Sequence, residues 1–131
     1  FQRERKKTKR SMEFNIERED KNGVTVLRLK GKLIDHESAE AVKHTTDELI
    51  AEDKTSVVVD LDGLTYLNSN GLNALVSLLT KCRNRGGEMV VCCINEKVRR
   101  LFVITKLINV FTVRETLNEG LEAMQQAISE N

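Results

Sequence analysis

The chain has 131 residues, 40% of them hydrophobic and 31% charged, with a formal net charge of +1. These values suit one globular domain with a core of its own. No apolar run approaches the ~20 residues that span a bilayer, and no apolar segment follows the basic N-terminus as a secretory signal requires. Three cysteines, an odd number, argue against a disulfide framework and for a reducing, cytoplasmic setting.

The charge is unevenly spread. Residues 1–11 hold Arg3, Arg5, Lys6, Lys7, Lys9 and Arg10 against Glu4, a balance of +5. Such an arm can attract nucleic acid or an anionic membrane, yet charge runs build no core. Residues 1–11 are therefore expected to be a solvated or non-native leader, with no direct nucleic-acid or membrane binding, and 12–131 the domain proper.

From Glu13 to Glu19, Phe14 and Ile16 alternate with polar residues, as in a half-exposed strand. Asp20-Lys21-Asn22-Gly23 carries the Asn-Gly hairpin signal. Val24 to Leu33 returns as a second, antiparallel strand, with Leu27, Leu29 and Leu33 on one face and Arg28, Lys30 and Lys32 on the other. Asp35 is placed to cap a helix over His36–Ala51 whose apolar side holds Ala39, Val42, Leu49 and Ile50.

The organising segment runs from Val57 to Leu79. Val57, Val58, Val59 and Leu61 around Asp60 read as a strand buried on both faces. Leu72, Leu75, Val76 and Leu79 form one stripe of an amphipathic helix that stops near Gly86-Gly87. Between them lies the polar turn Leu67-Asn68-Ser69-Asn70-Gly71. A residue there sits at a helix N-terminus, where free N–H groups favour an oxygen or an anion. Ser69 is the hydroxyl so placed, with two compatible roles, an N-cap or a phosphoryl acceptor.

Glu88 to Ile94 is a second buried strand, Asn95 caps a helix to about Thr105 with Val98, Leu101 and Phe102 inward, and Val110 to Arg114 is a last strand. Thr116-Leu-Asn-Glu119 forms a capping box for a final helix burying Leu117, Leu121, Met124 and Ile128. The order predicts an α/β domain: a mostly parallel sheet with an N-terminal antiparallel hairpin and four helices.

Other chemistries fail on spacing. His36 and His44 are eight residues apart, about 12 Å along a helix, too far for one small ion. Cys92 and Cys93 are strand neighbours and are expected on opposite faces, so no metal site or cofactor is expected. No base is placed beside Ser69 or a cysteine, and no GxxxxGK[ST] follows the central strand. A phosphorylated receiver fold needs a pair of acidic residues where this chain has Leu33-Ile34-Asp35. The reading is therefore not an enzyme. Asp60 is expected to bond to backbone N–H groups nearby.

The strand VVVDLDGLTYL, the turn NSNGL and the later succession of Gly-Gly, strand, Asn and helix from Gly86 to Lys106 resemble the STAS domain of the anti-sigma factor antagonists, over about residues 12–129. The resemblance implies a partner-switching regulator. An anti-sigma factor that is also a Ser kinase phosphorylates a Ser at the position of Ser69, a phosphatase reverses it, and the unphosphorylated form binds the kinase. Asn68 stands where the family commonly has Asp, keeping the acceptor and giving up a charge. The expected docking surface comprises Asn68, Ser69, Asn70, Gly71 and Asn73, with Ile104, Leu107 and Ile108 as an apolar patch beside Lys106. The alternative is a STAS-fold protein that is not phosphorylated, either binding phosphate or nucleotide at the helix N-terminus or serving a transport assembly.

Overall fold

The computed structural model describes residues 9–11 and 13–130. Strand β1 (Lys9–Ser11) pairs antiparallel with β2 (Phe14–Lys21), and β2 pairs antiparallel with β3 (Val24–Leu33). The expected boundary at Met12 thus falls between β1 and β2, while residues 1–8 of the expected leader lie outside the described residues. Asn22 and Gly23 take φ values of 51° and 82°, the left-handed pair that a type I′ hairpin turn requires.

Helix α1 (His36–Ala51) follows, and its capping box runs between Asp35 and Ser38. Strand β4 (Ser56–Asp60) pairs parallel with the first part of β3, Thr25 to Arg28. The strand expected to run on to Leu67 breaks after Asp60, and a separate short strand, β5 (Leu64–Leu67), pairs parallel with the last part of β3, Gly31 to Leu33. Thr65 and Tyr66, both good strand formers, were its one local signal. Helix α2 (Ser69–Asn84), strand β6 (Glu88–Cys92), helix α3 (Glu96–Ile104), strand β7 (Thr112–Arg114) and helix α4 (Leu117–Ser129) complete the chain. The strands run in the order β1-β2-β3-β4-β6-β7, with β5 set beside β3 beyond the end of β4.

The two faces of the sheet carry separate clusters. Leu27, Leu29, Leu33, Val57, Val59, Met89 and Val91 pack with Val42 and Leu49 of α1, Leu72, Leu75, Leu78 and Leu79 of α2, and Val98 and Phe102 of α3. Val24, Val26, Val58, Val90 and Cys92 pack under Met124 of α4. This second cluster explains why β4 and β6 read as unbroken apolar runs: each is covered on both sides. At about 1.5–3 kcal/mol for each large apolar side chain buried, α2 is held mainly by its Leu stripe. In α4 the expected pattern holds in part, since Gly120 and Met124 are buried while Ile128 is 39% exposed. Ile128 lies in the last turn of α4.

Candidate functional site

Strand β5 carries the chain past the end of β4 and delivers residues 68–71 to the C-terminal end of β3. Asn68, not Ser69, is the N-cap of α2. Its Oδ1 accepts from the Gly71 N–H at 3.1 Å, its Nδ2 donates to the Ile34 carbonyl at 2.7 Å, and its own N–H donates to the Leu33 carbonyl at 3.4 Å. One side chain therefore ties the start of α2 to the end of β3. A carboxylate there could cap, but it could not donate to Ile34.

With the cap filled by Asn68, Ser69 becomes the first residue of α2 and is exposed. The first N–H groups of a helix have no partner within it. The first turn of α2 holds no acidic residue, and its last turn holds Lys81 and Arg83. The field at Ser69 thus favours added negative charge. Gly71 is buried because a Cβ on it would fall against the Leu33 carbonyl oxygen and lie 2.6 Å from Leu33 Cγ and 2.8 Å from Leu67 Cδ1.

Asn70 and Asn73 are exposed beside Ser69 on the same helix end. The expected apolar patch divides. Ile104 is 68% exposed, whereas Leu107 and Ile108 are half-buried and pack on the core, their N–H groups both donating to the Phe102 carbonyl. The sequence reading missed the exposed apolar residues Ile34 and Tyr66 next to Asn68 and Val103 beside Ile104. Lys97 Nζ lies 4.9 Å from the centre of the Tyr66 ring, a cation–π contact that joins the start of α3 to β5. Asn95, the cap of α3, donates through Nδ2 to the Leu64 carbonyl at 2.9 Å. The exposed residues of α2, α3 and β5 thus belong to one tied surface.

A second group needs a correction. The strand neighbours Cys92 and Cys93 do not point to opposite faces. β6 ends at Cys92, and Cys93 takes φ +64°, which turns its side chain to the α4 side with Cys92. Both sulfur atoms and an Asp60 oxygen lie within 4.8 Å of one another. The Asp60 Oδ1 accepts from the Asp62 N–H at 2.9 Å, the backbone bond expected of it. Burial pushes both thiols up, and the nearby Asp60 carboxylate adds to this. Cys82, under α2, is pushed up to about 11 by burial.

Comparisons with known proteins agree with this architecture. The STAS domain family model matches residues 15–120. An anti-sigma F factor antagonist of Paenibacillus polymyxa is 32% identical over 115 residues, covering 87% of this chain and 97% of its own. The crystal structure of an anti-sigma factor antagonist from Mycobacterium paratuberculosis superposes with a TM-score of 0.77 at 28% identity, covering 86% of this chain and 94% of that one. The Bacillus cell fate determinant SpoIIAA in its phosphorylated form shares the fold, with a TM-score of 0.65 at 19% identity over 84% of this chain and 97% of its own. A family match across most of the described domain, on a sheet and helix order that the residues themselves dictate, places this chain in the STAS domain, anti-sigma factor antagonist family.

Proposed function

We propose that the protein is a partner-switching regulator that binds an anti-sigma factor with Ser kinase activity and is released when Ser69 is phosphorylated. It has no catalytic role of its own in this reading, and a separate phosphatase resets it. The observation that carries the proposal is the exposed Ser69 at the first position of α2, with the cap supplied by its neighbour. The hydroxyl is left free of the structural duty that a Ser at such a junction normally performs.

Phosphorylation adds roughly −1.5 to −2 of charge at neutral pH. The N-terminus of α2 tolerates this charge within the chain, so the fold survives the modification. A docked partner does not tolerate it when the same oxygens are desolvated at the interface. A hundredfold loss of affinity needs only about 2.7 kcal/mol, which one buried and unmatched phosphate supplies. Asn70, Asn73, Tyr66 and Ile104 are the contacts assigned to the partner, with Gly71 setting the height of the turn. Leu107 contributes through its packing against the core.

The test is incubation of the chain with the cognate kinase and ATP, followed by intact-mass and peptide mapping. The expected result is one added phosphate at Ser69, its loss in Ser69→Ala, and weaker kinase binding by the phosphorylated form. Modification at another residue by an active kinase defeats the proposal.

A further inference from the structure

The cluster at the C-terminal ends of β4 and β6 is separate from Ser69. We propose that Asp60, Cys92 and Cys93 form a binding site for a thiophilic divalent cation of the zinc and cadmium class.

The first argument is geometric. Adjacent residues of a strand point to opposite faces, and these two cysteines share a face only because Cys93 adopts φ +64°. A left-handed conformation at a residue other than Gly, Asn or Asp is unfavourable and persists where its surroundings fix it. Here the surroundings do so: the Cys93 N–H donates to the Arg114 carbonyl at 3.2 Å, and the Cys92 carbonyl accepts from the Leu61 N–H at 3.0 Å. Both thiols are thereby held beside the Asp60 carboxylate, with all three ligand atoms within 4.8 Å. A tetrahedral ion with bonds of about 2.3 Å to sulfur and about 2.0–2.2 Å to oxygen holds such atoms roughly 3.3–3.8 Å apart. Rotamer adjustments of about 1 Å close the site without moving a strand.

The second argument is chemical. Two thiolates and a carboxylate are a soft-to-borderline donor set, suited to zinc or cadmium and poorly suited to magnesium or calcium. Binding replaces the two thiol protons with one dication. The two protons are released, and the three-ligand complex carries one net negative charge. Arg28 Nε lies 3.9 Å from Asp60 Oδ2 and compensates that charge from outside the ligand set. The Asp62 N–H bond to Asp60 Oδ1 fixes the carboxylate in the same way, the kind of support that metal ligands use. Cys93 and Asp60 keep some exposure at the strand ends, which gives an ion a way in.

Because binding displaces two thiol protons, affinity rises with pH. Asp60, Asp62, Arg28 and Arg114 are the charged groups that face or adjoin the cluster. Glu115 precedes the cap of α4, and Glu119 lies in its first turn.

The experiment is a titration of the full chain, kept reduced by a phosphine, with Cd²⁺, following the ultraviolet thiolate-to-metal charge-transfer band and the bound-metal stoichiometry, with Zn²⁺ as competitor. One equivalent is expected to bind, with the band displaced by Zn²⁺ and affinity increasing with pH. Cys93→Ser is expected to remove about half the band and at least tenfold in affinity. Asp60→Asn, nearly isosteric, is expected to keep the band and weaken binding by about tenfold or more, since a carboxylate ligand is replaced by a neutral amide. Cys82→Ser is expected to change neither. Circular dichroism melts show that each variant is folded, and Cys93, being only half-buried, is the substitution that least disturbs the core. Absence of the band, an undiminished band in Cys93→Ser, its loss in Cys82→Ser, or unchanged affinity in Asp60→Asn each overturns the site.

Discussion

Replacing Asn68 separates the two jobs that this side chain performs. In Asn68→Ala the cap to Gly71 and the tie to the Ile34 carbonyl are both lost. Loss of an N-cap costs about 1 kcal/mol, with a range of roughly 0.5–2. Loss of the second bond costs about 0.5–1.5 kcal/mol, at the lower end here because it is exposed to water. The sum is about 1–2.5 kcal/mol, or roughly 3–10 °C in melting temperature for a domain of this size. Asn68→Asp keeps the cap and gains about 0.3–1 kcal/mol from charge at the helix N-terminus, but it sets a carboxylate oxygen against the Ile34 carbonyl. It should melt between the wild type and the Ala variant. Thermal and urea unfolding followed by circular dichroism measures both. An Ala variant within about 1 °C of the wild type, or an Asp variant as unstable as Ala, would refute the assignment of Asn68 as the cap and the tie.

Other outcomes follow from the same geometry. Gly71→Ala drives a methyl into Leu33 and Leu67, so a loss of about 1–3 kcal/mol is expected, read as a lower urea midpoint at unchanged slope. In Ile104→Glu, a residue 68% exposed, stability should stay within about 0.5 kcal/mol while anti-sigma factor affinity falls tenfold or more by calorimetry. Arg18 bridges Asp20 and Glu52 at 3.1 and 2.7 Å, and its hydrogen bond holds the Glu52 carboxyl below its ordinary 4.5. At Asp20 burial opposes the shift, and Arg18, Thr25 and Lys54 together still hold it below 3.8. These folded values lie under the unfolded ones, so the stabilisation is full above about pH 4.5 and is lost as pH falls through the lowered values. Arg18→Met should therefore flatten the loss of stability with acid below about pH 4.5, measured by urea midpoints across that range.

The strand and helix order was legible because each segment speaks in one period. The Val57 run, the Leu72 to Leu79 stripe and the caps at Asp35, Asn95 and Thr116 each name their element locally, and all five recur in the structure. β5 was not legible as a separate strand, since four residues with two buried positions give too short a pattern, and its pairing depends on the β3 bulge at Gly31. The cap was misplaced by one residue because Asn and Ser are both good caps, and the tie to Ile34 that selects Asn68 is a long-range bond. Cys93 was misread for a related reason. Alternation holds only inside a strand, and nothing near Cys93 announces that β6 has ended and that φ has changed sign. Of the apolar patch expected at Ile104, Leu107 and Ile108, the turn after α3 folds Leu107 and Ile108 back onto the core and leaves Ile104 outside.

The account centres on the charge state of the Ser69 side chain. Its most direct measurement is the dissociation constant of the kinase-competent anti-sigma factor for the chain before and after stoichiometric phosphorylation, beside Ser69→Ala. A rise of about a hundredfold on phosphorylation, equivalent to about 2.7 kcal/mol, with Ser69→Ala binding tightly and resisting the kinase, is the expected result. Equal affinity of the two forms, with the phosphate mapped to Ser69, would contradict it.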